Sequence, residues 1–316
     1  MKHDDRIKLR TGLEVSRIAL GTAAFGGLYK SVTDQACTDT LQTALNHGIT
    51  YLDTAPHYGK GTSERRIGAA IAGLDKSKMV ISTKIGRLLN PSTTDFDDFF
   101  LDADNTVERK MDFSASAVRR SLEESLVKLG VDSVDILYIH DPDDYADIAI
   151  REAYPELEKM RAEGIIKAIG IGMNQCEIPT RFVKETDIDM VLIAGRYSLL
   201  DQQAALDLLP AALERGVDIV VAGVFNSGIL ANPVKGATFD YMPASDELIN
   251  RAGRFREVLD GHGVSLTGAA MQFPFQHPAV KAVLVGCRSE AEVLSNITEF
   301  NKPISSQVWT DLASVQ

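Results

Sequence analysis

A chain of 316 residues can fold as one large domain or two small ones, and α/β barrels reach this size as a single unit. Its formal net charge of −11, with no local basic cluster, argues against a nucleic-acid partner. Hydrophobic residues make up 45% of it, enough for a large core, yet no apolar run approaches the roughly 20 residues that cross a bilayer.

The N-terminal Met1-Lys2-His3-Asp4-Asp5 is charged and lacks the apolar core of a signal peptide. Cys37, Cys176 and Cys287 are too few and too scattered for a disulfide framework, and none has a CxxC partner. The expected setting is the reducing cytoplasm. No feature of the sequence specifies an oligomeric state.

In chain order, Ile18-Ala19-Leu20 is the first strand candidate. Thr33 and Asp34 cap a helix that ends near His47-Gly48, and the strand Ile49–Asp53 follows. Ser63 opens a helix from Glu64 to Ala72, before the strand Met79–Lys84. Ser114 starts a long helix with Val118, Leu122, Leu126 and Leu129 on one face and Gly130 as its stop. Val134–His140 reads as a strand, and Ile148–Ala162 as a helix closed by Gly164. Ile165–Ile171 and Asp189–Ala194 are strands. The helix Ala205–Arg215 ends at Gly216 and leads to the strand Val217–Ala222. Two helices, Ser245–His262 and Ser265–Gln272, precede the last strand, Val280–Val285, and the last helix, Glu290–Thr298.

Repeated βα units imply a parallel sheet. About eight strands is the count of a (β/α)8 (TIM) barrel, here one α/β domain over residues 1–316 behind an N-terminal hairpin. The alternative is a doubly wound sheet. Its phosphate loop would read GxGxxG after the first strand, whereas Gly170-Ile171-Gly172 lies mid-chain and lacks the third glycine. Two segments break the rhythm, as long loops at the carboxyl face. Arg87 to Met111 is acidic, with Asp95, Asp97, Asp98, Asp102 and Asp104, and Phe225 to Ala244 is rich in Gly, Pro and Asn. Each is either a functional lid or a solvated excursion.

Asp53, Lys84 and His140 each stand at the carboxyl end of a strand, and Tyr58 lies in the Pro/Gly turn beyond Asp53. That end of a barrel is where sites are built. Singly, each has a plain explanation: a loop cap, an exposed strand end, a satisfied rim histidine. Four in the same structural position make a proton-transfer set. A free phenol titrates near 10, and the Lys84 ammonium is expected to lower Tyr58 by an interaction of roughly 3–4 kcal/mol. Asp53 would orient Lys84, His140 would hold the substrate oxygen, and Tyr58 would be the general acid or base. A redox reaction would also need a nicotinamide cofactor to carry hydride. The run from Val283 to Glu290 is a strand, a glycine, a short loop and a helix N-terminus, which is an anion site. No metal is expected, since His140-Asp141 alone is inadequate as a ligand set.

These residues resemble the aldo-keto reductase family. Asp53-Thr54-Ala55-Pro56-His57-Tyr58-Gly59, followed by Ser63-Glu64 and Ile67-Gly68, looks like its first signature, and Lys84 and His140 match its other tetrad members. The resemblance spans nearly the whole chain and implies a (β/α)8 barrel, NAD(P)-dependent carbonyl–alcohol interconversion, and Asp53, Tyr58, Lys84 and His140 as catalytic residues. For the cofactor it implies Asp53 as a binding residue, and Gly21 and Thr22 near the nicotinamide ribose. Phe225 and Ser227 fall where a loop covers the pyrophosphate. Gly286, Arg288, Glu292 and Asn296 match the adenosine end. Asn174 stands in Gly172-Met173-Asn174, where the family usually has Ser-Asn to hold the carboxamide. The usual glutamine is replaced by Ala194 or Gly195, and the stacking tyrosine by Ala222. Glu292 stands where NADP-preferring relatives often carry arginine, so NAD is favoured over NADP. Gly223 to Leu230 and the loop after Arg87 look like the aldose 1-dehydrogenase and pyridoxal 4-dehydrogenase branch. The implied substrate is a small sugar or aldehyde. The alternatives are a general aldehyde or ketone reductase and a cofactor-sensing barrel without activity.

Overall fold

Strand residues in this chain alternate between two apolar layers, and that alternation places the site. In the computed structural model, which describes residues 1–92, 96–97 and 99–315, eight parallel strands close into a barrel. They are β1 (Ile18–Gly21), β2 (Tyr51–Asp53), β3 (Val80–Ile85), β4 (Ile136–His140), β5 (Ala168–Met173), β6 (Met190–Ala194), β7 (Asp218–Ala222) and β8 (Val280–Gly286). Each pairs with its sequence neighbours, and β8 returns to β1 with Val283 opposite Ile18 and Gly286 opposite Gly21. The doubly wound alternative is therefore overturned.

Tyr51, Val80, Ile136, Tyr138, Met190 and Leu192 fill the barrel interior, while the intervening Leu52, Ile81, Leu137, Ile139 and Val191 pack under the helices. Burial on both faces explains why these strands read as continuous apolar runs. Interior volume is matched across strands. A Cβ at Gly170 would lie 2.4 Å from the Tyr138 ring, so the glycine leaves room for the tyrosine. The Tyr51 and Tyr138 hydroxyls satisfy each other at 2.8 Å in this apolar space. An antiparallel hairpin, Arg6–Lys8 with Glu14–Ser16, adds Leu9 and Val15 to the same interior cluster.

Several helices differ from the sequence expectation for local reasons. The helix expected over Ile148–Ala162 breaks into Ala146–Ile148, a π-turn at Ala149–Ala153, and Tyr154–Ala162. Pro155 has no N–H for the preceding turn, and the Tyr154 N–H reaches back five residues to Ala149 instead. Glu177–Glu185 was not anticipated. It carries Pro179 in its first turn, where a missing N–H costs nothing. Ser306–Ala313 was also missed, and buries Val308 and Leu312 at helical spacing.

Arg87 to Met111 is not a plain loop. Arg87–Pro91 pairs antiparallel with Val107–Met111, so the segment is a hairpin standing on the end of β3. Phe225 to Ala244 contains a 3-10 turn, Asn226–Gly228, and a small pairing of Thr238–Phe239 with Met242–Pro243.

Candidate active site

At their last inward positions, β2, β3 and β4 carry Asp53, Lys84 and His140, two residues beyond the interior Tyr51, Ser82 and Tyr138. The corresponding positions around the rest of the rim hold Gly21, Gly172, Ala194, Ala222 and Gly286. One arc of the rim is thus polar and the other nearly lacks side chains. The gap is a cavity of about 480 Å³, lined by all of these residues together with Tyr58, His57, Phe100 and Asp141.

Lys84 Nζ donates to Asp53 Oδ2 at 2.6 Å and to the Thr54 carbonyl at 2.8 Å, and the Ser82 hydroxyl donates to Asp53 Oδ1 at 2.6 Å. The pair is buried, and both oxygens of the Asp53 carboxylate accept a hydrogen bond. Tyr58 reaches this layer through a turn packed backbone to backbone. Gly59 has φ +61°, and a Cβ at Gly26 would lie 2.5 Å from the Gly59 nitrogen. Lys84 Nζ lies 4.9 Å from the Tyr58 ring centre, and the Tyr58 and His140 rings meet edge to face at 5.9 Å.

The expected lowering of the Tyr58 pKa is not seen. Burial, then the Asp53 and Asp141 carboxylates, push it well above the ordinary phenol value. Lys84, which was expected to oppose this, is already paired with Asp53 and hydrogen-bonded to backbone. His140 moves the other way. Burial, then Lys84, Arg87 and His57, hold it well below the usual imidazole range, so it is neutral. Its Nδ1 is buried without a hydrogen-bond partner.

A second cavity, of about 620 Å³, adjoins the first along Asn174, Gly223, Tyr241, Leu284 and Gly286. Phe225, Ser227, Arg288, Glu292 and Asn296 line it. The structure therefore brings every expected cofactor position into one continuous cleft: Gly21, Thr22 and Asp53 in the first cavity, Asn174 and Gly286 in both, the rest in the second. Asn226 Oδ1 and Arg288 Nε are buried there without partners, a polar lining that fits a dinucleotide. The helix N-terminus after β8 is less open to anions than its sequence suggests. Ser289 caps Glu292, and Glu292 Oε2 accepts the Arg288 N–H at 2.7 Å, so a carboxylate already sits there.

Sequence reasoning missed Tyr29 and Tyr241, whose rings lie 6.3 Å apart and line both cavities. Both have positive φ in irregular segments, where periodicity gives no signal; aromatics in loops beyond barrel strands are the only hint. The acidic segment also reads differently in three dimensions. Asp97 pairs with Arg109 and accepts the Phe99 and Phe100 N–H groups. Asp102 pairs with Arg66 at 2.8 Å, and Asp104 binds Thr106. Asp97 and Asp104 thus fold the hairpin itself, and Asp102 ties it to the helix Thr62–Ile71. Asp95 and Asp98 lie outside the described residues. Among the described residues no group of three His, Cys, Asp or Glu could hold a metal ion, and no helix is long and apolar enough to cross a membrane.

A model of the aldo/keto reductase family matches residues 17–316. The chain belongs to that family. It is 40% identical over 314 residues to D-threo-aldose 1-dehydrogenase of Pseudomonas sp, covering 96% of this chain and 95% of the relative. It is 38% identical to pyridoxal 4-dehydrogenase of Microbacterium luteolum, over 96% and 95% of the two chains. L-galactose dehydrogenase of Arabidopsis thaliana is 30% identical, over 92% and 88%. In fold, the aldo-keto reductase AKR11C1 from Bacillus halodurans superposes with a TM-score of 0.80 at 22% identity, covering 99% of this chain and 96% of that one. The protein is an oxidoreductase of a family that uses NAD(P)H on small molecules.

Proposed function

We propose that residues 1–316 act as one domain, an NAD-dependent aldose 1-dehydrogenase that oxidises a cyclic hemiacetal to a lactone. The observation that carries this is the juxtaposition of Tyr58, neutral His140 and the Lys84–Asp53 pair in a cavity that adjoins a second one reaching Arg288 and Asn296. A bound nicotinamide supplies the hydride acceptor. His140 holds the reacting oxygen through an imidazole nitrogen. Tyr58 takes the proton from that oxygen in oxidation and returns it in reduction. Lys84, facing the Tyr58 ring, stabilises the phenolate formed in the course of the reaction, and Asp53 holds Lys84 in place. The rim of glycines and alanines admits the nicotinamide, with Gly21 and Thr22 on its ribose side and Asn174 at its carboxamide. Phe225, Ser227 and Gly286 line the pyrophosphate path, and Arg288 and Asn296 the adenosine end.

NAD is the preferred form. The Glu292 carboxylate at the helix N-terminus suits a ribose diol and repels a 2′-phosphate. The enzyme works in the cytoplasm, where its three unpaired cysteines remain reduced. The test is direct: incubate the protein with NAD or NADP and a panel of aldoses, pyridoxal and simple alcohols, and follow the absorbance of reduced cofactor. Turnover of L-fucose, L-galactose or related aldoses with NAD supports the reading. Turnover of pyridoxal alone moves the enzyme to the alternative that its 38% identity with a pyridoxal 4-dehydrogenase favours. A higher kcat/KM with NADP overturns the cofactor preference. No turnover in either direction leaves a cofactor-binding barrel.

A further inference from the structure

Asp141 follows His140 at the mouth of β4 and has a left-handed backbone, with φ +43°, that few residues besides glycine, asparagine and aspartate adopt. Such strain persists only where the surroundings hold it. Here the Asp141 N–H donates to the Gly172 carbonyl at 3.0 Å, across to β5. The side chain is held as firmly. Arg87 Nη2, from the base of the hairpin, donates to Asp141 Oδ2 at 2.9 Å, and the same oxygen lies 3.5 Å from His140 Nε2. Both contacts fall on Oδ2. Oδ1 accepts no hydrogen bond among the described residues, although Asp141 lines the cavity that contains Tyr58 and His140. Burial pushes the Asp141 carboxyl up despite Arg87, so the chain keeps a carboxylate in a desolvating place with half of its acceptor capacity unused.

The other acidic groups of the region cannot take this part, because Asp97 and Asp104 are bound within the hairpin and Asp102 is bound to Arg66 and the Val32 N–H outside it. The remaining walls on this side are the rings of His57, Phe99, Phe100, Tyr29 and Tyr241, with Leu28 and with Arg109, whose guanidinium is already bound to Asp97 and the His57 carbonyl. An ionised carboxylate only accepts hydrogen bonds, and a substrate hydroxyl is the donor that complements it.

We propose that Asp141 is a specificity-determining residue, whose Oδ1 accepts a hydrogen bond from a substrate hydroxyl on a carbon beside the reacting one, selecting hydroxylated over plain aldehydes and alcohols. This rests on the aldose reading for its substrate class and adds the residue that recognises it. Arg87 is then a positioning residue that fixes the Asp141 rotamer.

The test compares kcat/KM for reduction of glyceraldehyde, 2-hydroxypropanal and propanal by wild type, Asp141→Asn and Asp141→Gly. Asparagine and glycine both tolerate positive φ, so the backbone at β4 is kept. The wild type prefers the two hydroxylated aldehydes. In both variants the ratio of hydroxylated to plain substrate falls by roughly tenfold or more, through KM of the hydroxylated ones. A wild type without that preference overturns the proposal, and so do variants in which all three substrates lose the same factor. A wild type that oxidises no aldose, while the ratio still depends on Asp141, removes the aldose reading and leaves this one standing.

Discussion

In the proposed mechanism the protonation state of Tyr58 decides the chemistry. Burial and two carboxylates hold the phenol neutral, so the resting side chain is a proton donor, ready for the reduction direction. Oxidation needs the phenolate, whose population rises as pH approaches the raised value. The rate of aldehyde reduction should therefore fall with rising pH while the rate of alcohol oxidation climbs, as initial rates in both directions will show. His140 lies well below its usual range, so no step should appear where an ordinary histidine titrates. Tyr58→Phe should lower kcat by about 10²–10⁴-fold in both directions. Cofactor affinity by fluorescence titration should stay within roughly twofold, since binding and proton transfer are separate terms. Wild-type turnover in that variant would remove Tyr58 from the role. Lys84→Met tests the pair beside it. It strands the Asp53 carboxylate at 1% exposure. Denaturant melting should then show a loss of about 3–5 kcal/mol along with the loss of activity, as for other broken buried pairs.

At the scale of elements, strand ends were legible and loops were not. Asp53, Lys84 and His140 could be placed because a strand's alternation fixes which face its last residue takes. Asp97 and Asp102 could not be interpreted, because composition reports a charge without its direction: Asp97 turns into the hairpin toward Arg109, and Asp102 turns out to Arg66 of the helix Thr62–Ile71. Tyr29 and Tyr241 belong to segments with no period to read. The Tyr58 pKa was misjudged for a related reason: the sequence brings Lys84 near but says nothing of the burial around the phenol or of the lysine's prior engagement. The turn that carries Tyr58 offers a test at this scale. It lies against the 3-10 turn Ala23–Gly26, where the Gly26 position leaves no room for a methyl group beside Gly59. Gly26→Ala must push the two turns apart. A displacement near 1 Å should cost about 100-fold in kcat. The far-UV spectrum and melting behaviour should stay those of a folded barrel, because strands and helices are untouched.

For the whole molecule, closure is what joins the two ends of the chain into one cleft. β1 and β8 are neighbours, and Arg288 beyond β8 donates to the Leu28 carbonyl beyond β1 at 3.3 Å. A dinucleotide lying from Gly21 to Asn296 would bridge the same seam, so its binding must stabilise the closed barrel. At a hundredfold excess over Kd that amounts to about 2.7 kcal/mol, or a rise in Tm of roughly 3–6 °C for a chain of this length. The size of the rise should depend on the form of the cofactor. At equal concentration NAD should raise Tm more than NADP, because a 2′-phosphate would meet the Glu292 carboxylate already capping the last βα unit. Glu292→Gln isolates this charge. Glutamine serves at the same capping position, so the helix start is kept. Glu292 is exposed, so the effect is screened, and the ratio of NAD to NADP affinities should fall by only roughly 3–5-fold. An unchanged ratio in that variant would mean that discrimination, if present, arises elsewhere along the cleft, with Arg288 the first residue to replace.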